Sequence, residues 1–118
     1  MKYMLLIYEP EKAYEGAEGE KALMDIVAKH RQLGEELRAK NVAYVGAPLE
    51  PSHTATTVRT GLDGNQSLHD GPFAETREHL GGYYEVDVAN LDEALYWARK
   101  IPVMPGGMVE VRPHANYA

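Results

Sequence analysis

The apolar and polar positions along this chain sort into strand-like, helix-like and loop-like segments. Tyr3 to Tyr8 is apolar throughout, the pattern of a strand covered on both faces. Residues 9 to 19 are polar, hold two glycines and read as a loop. From about Glu20 to Lys40, Leu23, Ile26, Val27, Leu33 and Leu37 recur at helical spacing. His30 falls on that same stripe, as does Gly34, where the missing side chain permits close approach to a sheet. Val42 to Val45 predicts a second strand, ended by Gly46 and Pro48, and the β-branched, alternating Thr54 to Thr60 a third. Asp63-Gly64 predicts a two-residue type I′ turn, after which Gln66 to Asp70 returns antiparallel. Gly81-Gly82 opens a strand in which Tyr84, Val86 and Val88 point one way and Tyr83, Glu85 and Asp87 the other. Asn90 reads as an N-cap with Glu93 as its capping-box partner, and Leu91, Ala94, Leu95, Ala98 and Ile101 give the second helix its stripe. Pro102 stops that helix, and Met108 to Arg112 is the last strand, with Val109 and Val111 inward.

This order is a βαββαβ frame with a β-hairpin inserted in the middle. It predicts an α+β fold of one domain, residues 1–118, in which an antiparallel sheet carries both helices on one face. The other face is left open, with Tyr3, Met4 and Tyr83 as candidates to line it. An uncovered apolar sheet face is usually buried against a partner, and a homodimer through that face is the economical solution.

Composition narrows the classes. The net charge of -6 argues against direct nucleic-acid binding through a basic patch. The absence of cysteine excludes disulfides and thiolate metal sites and agrees with a cytoplasmic setting. The N-terminal run is short and reads as a strand, not a signal peptide, and no run reaches membrane-spanning length. There is no HExxH-type metal spacing and no Gly-rich phosphate loop, so neither metal nor cofactor is expected.

Asp70-Gly71-Pro72-Phe73 is the most distinctive stretch. A turn aspartate usually accepts from the backbone N–H two residues on, but that position is Pro72, which has none. Asp70 must find another partner or remain available for chemistry. With a two-residue turn at Asp63-Gly64, residue 59 opposes residue 68 and residue 57 opposes residue 70. Arg59 and Asp70 then share a sheet face, close enough for an ion pair. In the His69-Asp70 dipeptide, only one of the two neighbours is expected to face a given pocket. His30 is the second candidate for chemistry, because histidine titrates near neutral pH; on an apolar helix face it can equally be a hydrogen-bonded core residue. Tyr83, Tyr84 and Trp97 are expected in core or interface packing before any pocket.

The run from Asp70 to Glu78, followed by Leu80-Gly81-Gly82-Tyr83-Tyr84, resembles the DGPF-motif branch of the YCII-related proteins. The resemblance extends to Met1 through Tyr8, Ala55 through Arg59, Leu91-Asp92-Glu93-Ala94 and Val109 through Pro113. It implies a ferredoxin-like protomer of the dimeric α/β-barrel superfamily, with two sheets packed face to face and a pocket in each half. It also implies His30 as the helix histidine of a His/Asp dyad, although Asn41 stands where a glycine is usual. Two functions follow as expectations. One is a small-molecule enzyme of isomerase or lyase type, with His30 and Asp70 catalytic and Arg59, Phe73, Glu75 and Tyr83 binding substrate. The other is a non-catalytic dimeric ligand-binding or regulatory module, as implied by members associated with sigma factors.

Overall fold

A computed structural model describes residues 1–117. Strand β1 (Lys2–Glu9) alternates strictly: Tyr3, Leu5, Ile7 and Glu9 are buried, while Met4, Leu6 and Tyr8 are half-exposed. The expected strand covered on both faces is therefore covered on one within the protomer. Tyr3, expected on the open face, is only 4% exposed and belongs to the core. The reason is register: Tyr3 pairs with Val86, Leu5 with Tyr84 and Ile7 with Gly82, all on the helix-covered side.

Helix α1 (Gly16–Ala39) begins four residues before the expected start, after a 3₁₀ turn at Glu11–Tyr14. It packs Ile26, Leu33, Gly34 and Leu37 inward. A Cβ on Gly34 would sit 2.8 Å from the Tyr44 hydroxyl, so this glycine does permit close approach to the sheet. Strand β2 (Ala43–Pro48) runs through Gly46 and Pro48 instead of ending before them. It is an edge strand, where a proline costs the sheet no interior hydrogen bond.

A second 3₁₀ turn (Ser52–Thr54) leads into β3 (Thr56–Thr60), which pairs with β4 (Gln66–Asp70). Strand β5 (His79–Asp87) follows. Asn90 caps α2 (Leu91–Lys100), its Oδ1 accepting from the Glu93 N–H at 3.0 Å. The Glu93 carboxylate reaches back to the Ala89 N–H at 3.0 Å, one residue before the cap. Strand β6 (Met108–Pro113) closes the chain order.

The main sheet has order β2-β5-β1-β6, all antiparallel, and both helices pack on one face: an α+β, ferredoxin-like arrangement. The core joins Tyr3, Leu5, Ile7 and Val86 to Leu33 and Leu37 of α1 and to Ala94 and Trp97 of α2, with Val109 and Val111 packed against it. Burial of each such aliphatic side chain stabilises the fold by about 1.5–3 kcal/mol. Among the described residues no helix is long and apolar enough to cross a membrane.

The β3–β4 hairpin forms a separate two-stranded sheet, and its register corrects the expectation. Thr60 pairs with Gln66, so the connection spans residues 61–65 and is not a two-residue turn. The Gly61 N–H donates to the Asn65 carbonyl at 2.8 Å, and Asp63 Oδ1 accepts from the Asn65 N–H at 2.9 Å. The side chain of Asp63 thus organises a longer loop. Residue 59 now opposes residue 67, and residue 56 opposes residue 70. That slip of one residue puts Arg59 and Asp70 on opposite faces and removes the expected ion pair.

Candidate functional site

Asp70 ends β4, and the chain turns at Gly71, whose φ of +107° is a conformation that only glycine adopts without strain. Three hydrogen bonds hold the turn through its backbone. The Gly71 N–H donates to the Ala55 carbonyl at 2.7 Å. The Thr57 hydroxyl donates to the Gly71 carbonyl at 2.8 Å, and Arg59 Nη2 to the Phe73 carbonyl at 2.9 Å. Arg59 therefore grips the tetrapeptide by its backbone and not by Asp70. Among the described residues the Asp70 carboxylate makes no hydrogen bond or ion pair, and the Phe73 ring is 73% exposed.

Both side chains border a cleft of about 470 Å³ lined by His53, His69, Asp70, Gly71, Pro72, Phe73, Ala74 and Glu75. His69 and Asp70 share it, although strand alternation leads one to expect only one of them there. The strand ends at Asp70, and the His69 ring folds back toward the turn, with Nε2 3.9 Å from where a Gly71 Cβ would stand. His53 enters from the Ser52–Thr54 turn. That turn is anchored by Glu11, whose carboxylate accepts from Ser52 N and Ser52 Oγ, each at 2.6 Å. Burial pushes the Glu11 carboxyl up, but the two Ser52 hydrogen bonds and the nearby His79 and His53 imidazoles outweigh it and leave it below the usual range.

His30 lies elsewhere. It points from α1 to the helix-covered side of the sheet, with Nδ1 2.7 Å from the Tyr84 hydroxyl. Burial holds its pKa below the ordinary imidazole value, opposed by the Glu9 carboxylate and by a hydrogen bond to the Pro102 carbonyl. A ring N–H engaged by Pro102 leaves Nδ1 to accept from the Tyr84 O–H. Tyr84 is itself pushed up by burial and by Tyr44, so its proton stays in place at neutral pH. Next to this pair, Glu9 accepts from the Tyr14 hydroxyl at 2.7 Å and from the Met104 N–H at 2.7 Å. Burial, the hydrogen bond and the Glu9 charge raise the Tyr14 phenol far above its ordinary value.

The six residues singled out in the sequence thus divide. Asp70, Phe73 and Glu75 line the cleft, and Arg59 supports it from behind. His30 has no part in that lining, and Tyr83 pairs across the open face with Leu6 and Ala47. Thr57, Ser52 and Glu11, which hold the cleft in shape, carry no motif of their own. Thr57 was visible only as one β-branched residue in a strand. Among the described residues no group of three or more histidines and carboxylates is placed to hold a metal ion.

The YCII-related domain matches residues 1–115. An uncharacterized protein of Rhizobium meliloti (strain 1021) is 39% identical over 122 residues, covering 99% of this chain and 94% of that protein. With the domain match spanning nearly its whole length, the chain belongs to the YCII-related family.

Proposed function

We propose that this chain is a cytoplasmic, DGPF-branch YCII-related homodimer that binds a small polar molecule in the Asp70 cleft and moves a proton on it. The reading rests on one observation: a carboxylate without a partner lies in an open cleft beside two imidazoles and a second carboxylate. A carboxylate accepts a proton and an imidazole can both donate and accept one, and Asp70, Glu75, His53 and His69 bring both kinds of group to the cleft. Phe73 offers an apolar wall for the ligand, and Arg59 holds the loop that presents it. His30 does not share this cleft within one protomer, so its part in the His/Asp pairing is taken by the histidines that do. The homodimer forms across the open sheet face, where Met4, Leu6, Tyr83 and Val45 are left uncovered by the protomer.

Proton transfer is directly observable without knowing the substrate. A panel of small oxo acids and hydroxy acids is incubated with the protein in D₂O and followed by proton NMR. Loss of a carbon-bound proton signal, reduced about 10²–10⁴-fold in Asp70→Asn at unchanged folding, supports the reading. The regulatory-module alternative draws on the openness of the cleft, which does not sequester a reaction from water. Binding of a panel member that persists in Asp70→Asn, with no exchange by either protein, would establish that alternative.

A further inference from the structure

The β3–β4 hairpin packs extensively only against itself, strand on strand. The chain is correspondingly flat, 49 × 48 × 19 Å, with a radius of gyration of 16.3 Å. A compact domain of this length has about 13.5 Å. A lone two-stranded hairpin is marginal in water and needs a surface to lie on. This one is built for a surface. The register pairs Val58 with Leu68 on one face, and they are 57% and 76% exposed. Leu62 at the tip is fully exposed. Asp70 stands on that same face, paired with Thr56 at the hairpin's base.

We propose that the hairpin is an arm that lies, Val58 and Leu68 inward, against a second copy of this chain, so that the partner also forms a wall of the Asp70 cleft. The inference rests on the homodimer reading above and adds a contact that the sheet faces do not make. Area points to the second copy. The four strands, six to nine residues long and about 4.8 Å apart, present a flat footprint of roughly 460 Å², short of the ~800 Å² of accessible surface per partner in a stable interface. The arm supplies further area, continuous with the cleft. Charge permits it as well. The arm, residues 56–70, carries Arg59, Asp63 and Asp70, a net charge of -1 within the chain's -6, so like charge repels it only weakly from another copy. Two-fold symmetry makes the contact reciprocal, each arm covered once.

The natural chain has no cysteine, so single thiols report on each face of the arm. Leu68→Cys and Val58→Cys probe the inward face and Ser67→Cys the opposite one, with far-ultraviolet circular dichroism confirming the fold. Full-length variants are reacted with a thiol reagent at a concentration whose mass is fixed by sedimentation. The arm predicts a dimer in which Leu68→Cys and Val58→Cys react at least about 10-fold more slowly than Ser67→Cys, the difference vanishing on dilution to monomer. Equal rates in a sedimenting dimer overturn the arm and leave the dimer standing. A monomer at every concentration overturns both.

Discussion

The Tyr84 hydroxyl lies 2.7 Å from Nδ1 of His30, on the helix-covered side of the sheet. That contact occupies the nitrogen a general base would use. It separates two polar centres: a half-buried, internally satisfied one around His30, Tyr84 and Glu9, and an open one around Asp70. In the function proposed above, the first is architectural and the second offers its carboxylate to a ligand.

Tyr84→Phe removes the donor and leaves His30 Nδ1 unpaired in a half-buried setting. We expect a loss of about 1–2 kcal/mol in urea unfolding, with the cleft unaltered. No loss would mean that His30 is solvated and available.

The same histidine sets a pH dependence. Its folded pKa lies below the ordinary 6.5 because burial disfavours the charged form. Below about pH 6.5 the unfolded chain therefore binds a proton that the folded chain does not, and stability falls as the pH drops toward the folded pKa. Above that window the contribution is flat. The slope from this group cannot exceed about 1.4 kcal/mol per pH unit. Urea unfolding of wild type and His30→Gln between pH 7.5 and 5 isolates it: the variant is expected to lose less stability on acidification, and parallel curves would count against the assignment.

Glu9 is the buried acceptor that ties the end of β1 to the segment before β6. Glu9→Ala leaves the Met104 N–H and the Tyr14 O–H without their acceptor and is expected to cost about 2–4 kcal/mol. Glu9→Gln keeps an acceptor oxygen and should cost about 1 kcal/mol. Equal losses in thermal or urea unfolding would show that charge, not hydrogen bonding, is what matters there.

Arg59→Ala frees the Phe73 carbonyl and should loosen the cleft more than it destabilises the fold. The expected change in global stability is under about 1 kcal/mol, since the bond is exposed. Hydrogen exchange of the amides from Gly71 to Glu75 should nevertheless accelerate. Unchanged exchange there would refute a gripping role for Arg59.

Much of this architecture was legible in the chain. The alternation of Tyr84, Val86 and Val88 against Tyr83 and Glu85 assigns β5 its two faces, although the strand starts at His79, two residues before Gly81, and ends at Asp87; Asn90 with Glu93 marks the start of α2. The hairpin register was not, because Asp63-Gly64 matches two turns. The Asp63 side chain bonded to Asn65 selects the longer loop, and one added step of register moves Arg59 across the sheet from Asp70. Tyr3 was misplaced because Tyr3, Met4 and Leu5 are all apolar, so alternation is silent until the partner strand chooses a face. Glu9 looked like the first residue of a loop. Its two donors, Tyr14 and Met104, stand 5 and 95 residues away, and the second cannot be foreseen from local pattern.

In the proposed function a ligand meets this protein at the Asp70 cleft and not at the His30 pair. Amide chemical-shift mapping in ¹⁵N-labelled protein, titrated with the oxo-acid and hydroxy-acid panel, addresses it most directly. Shifts concentrated at Asp70, Gly71, Phe73 and Glu75 are expected, lost in Asp70→Asn and kept in His30→Gln. Shifts centred on His30, Tyr84 and Met104, with the cleft silent, would contradict it.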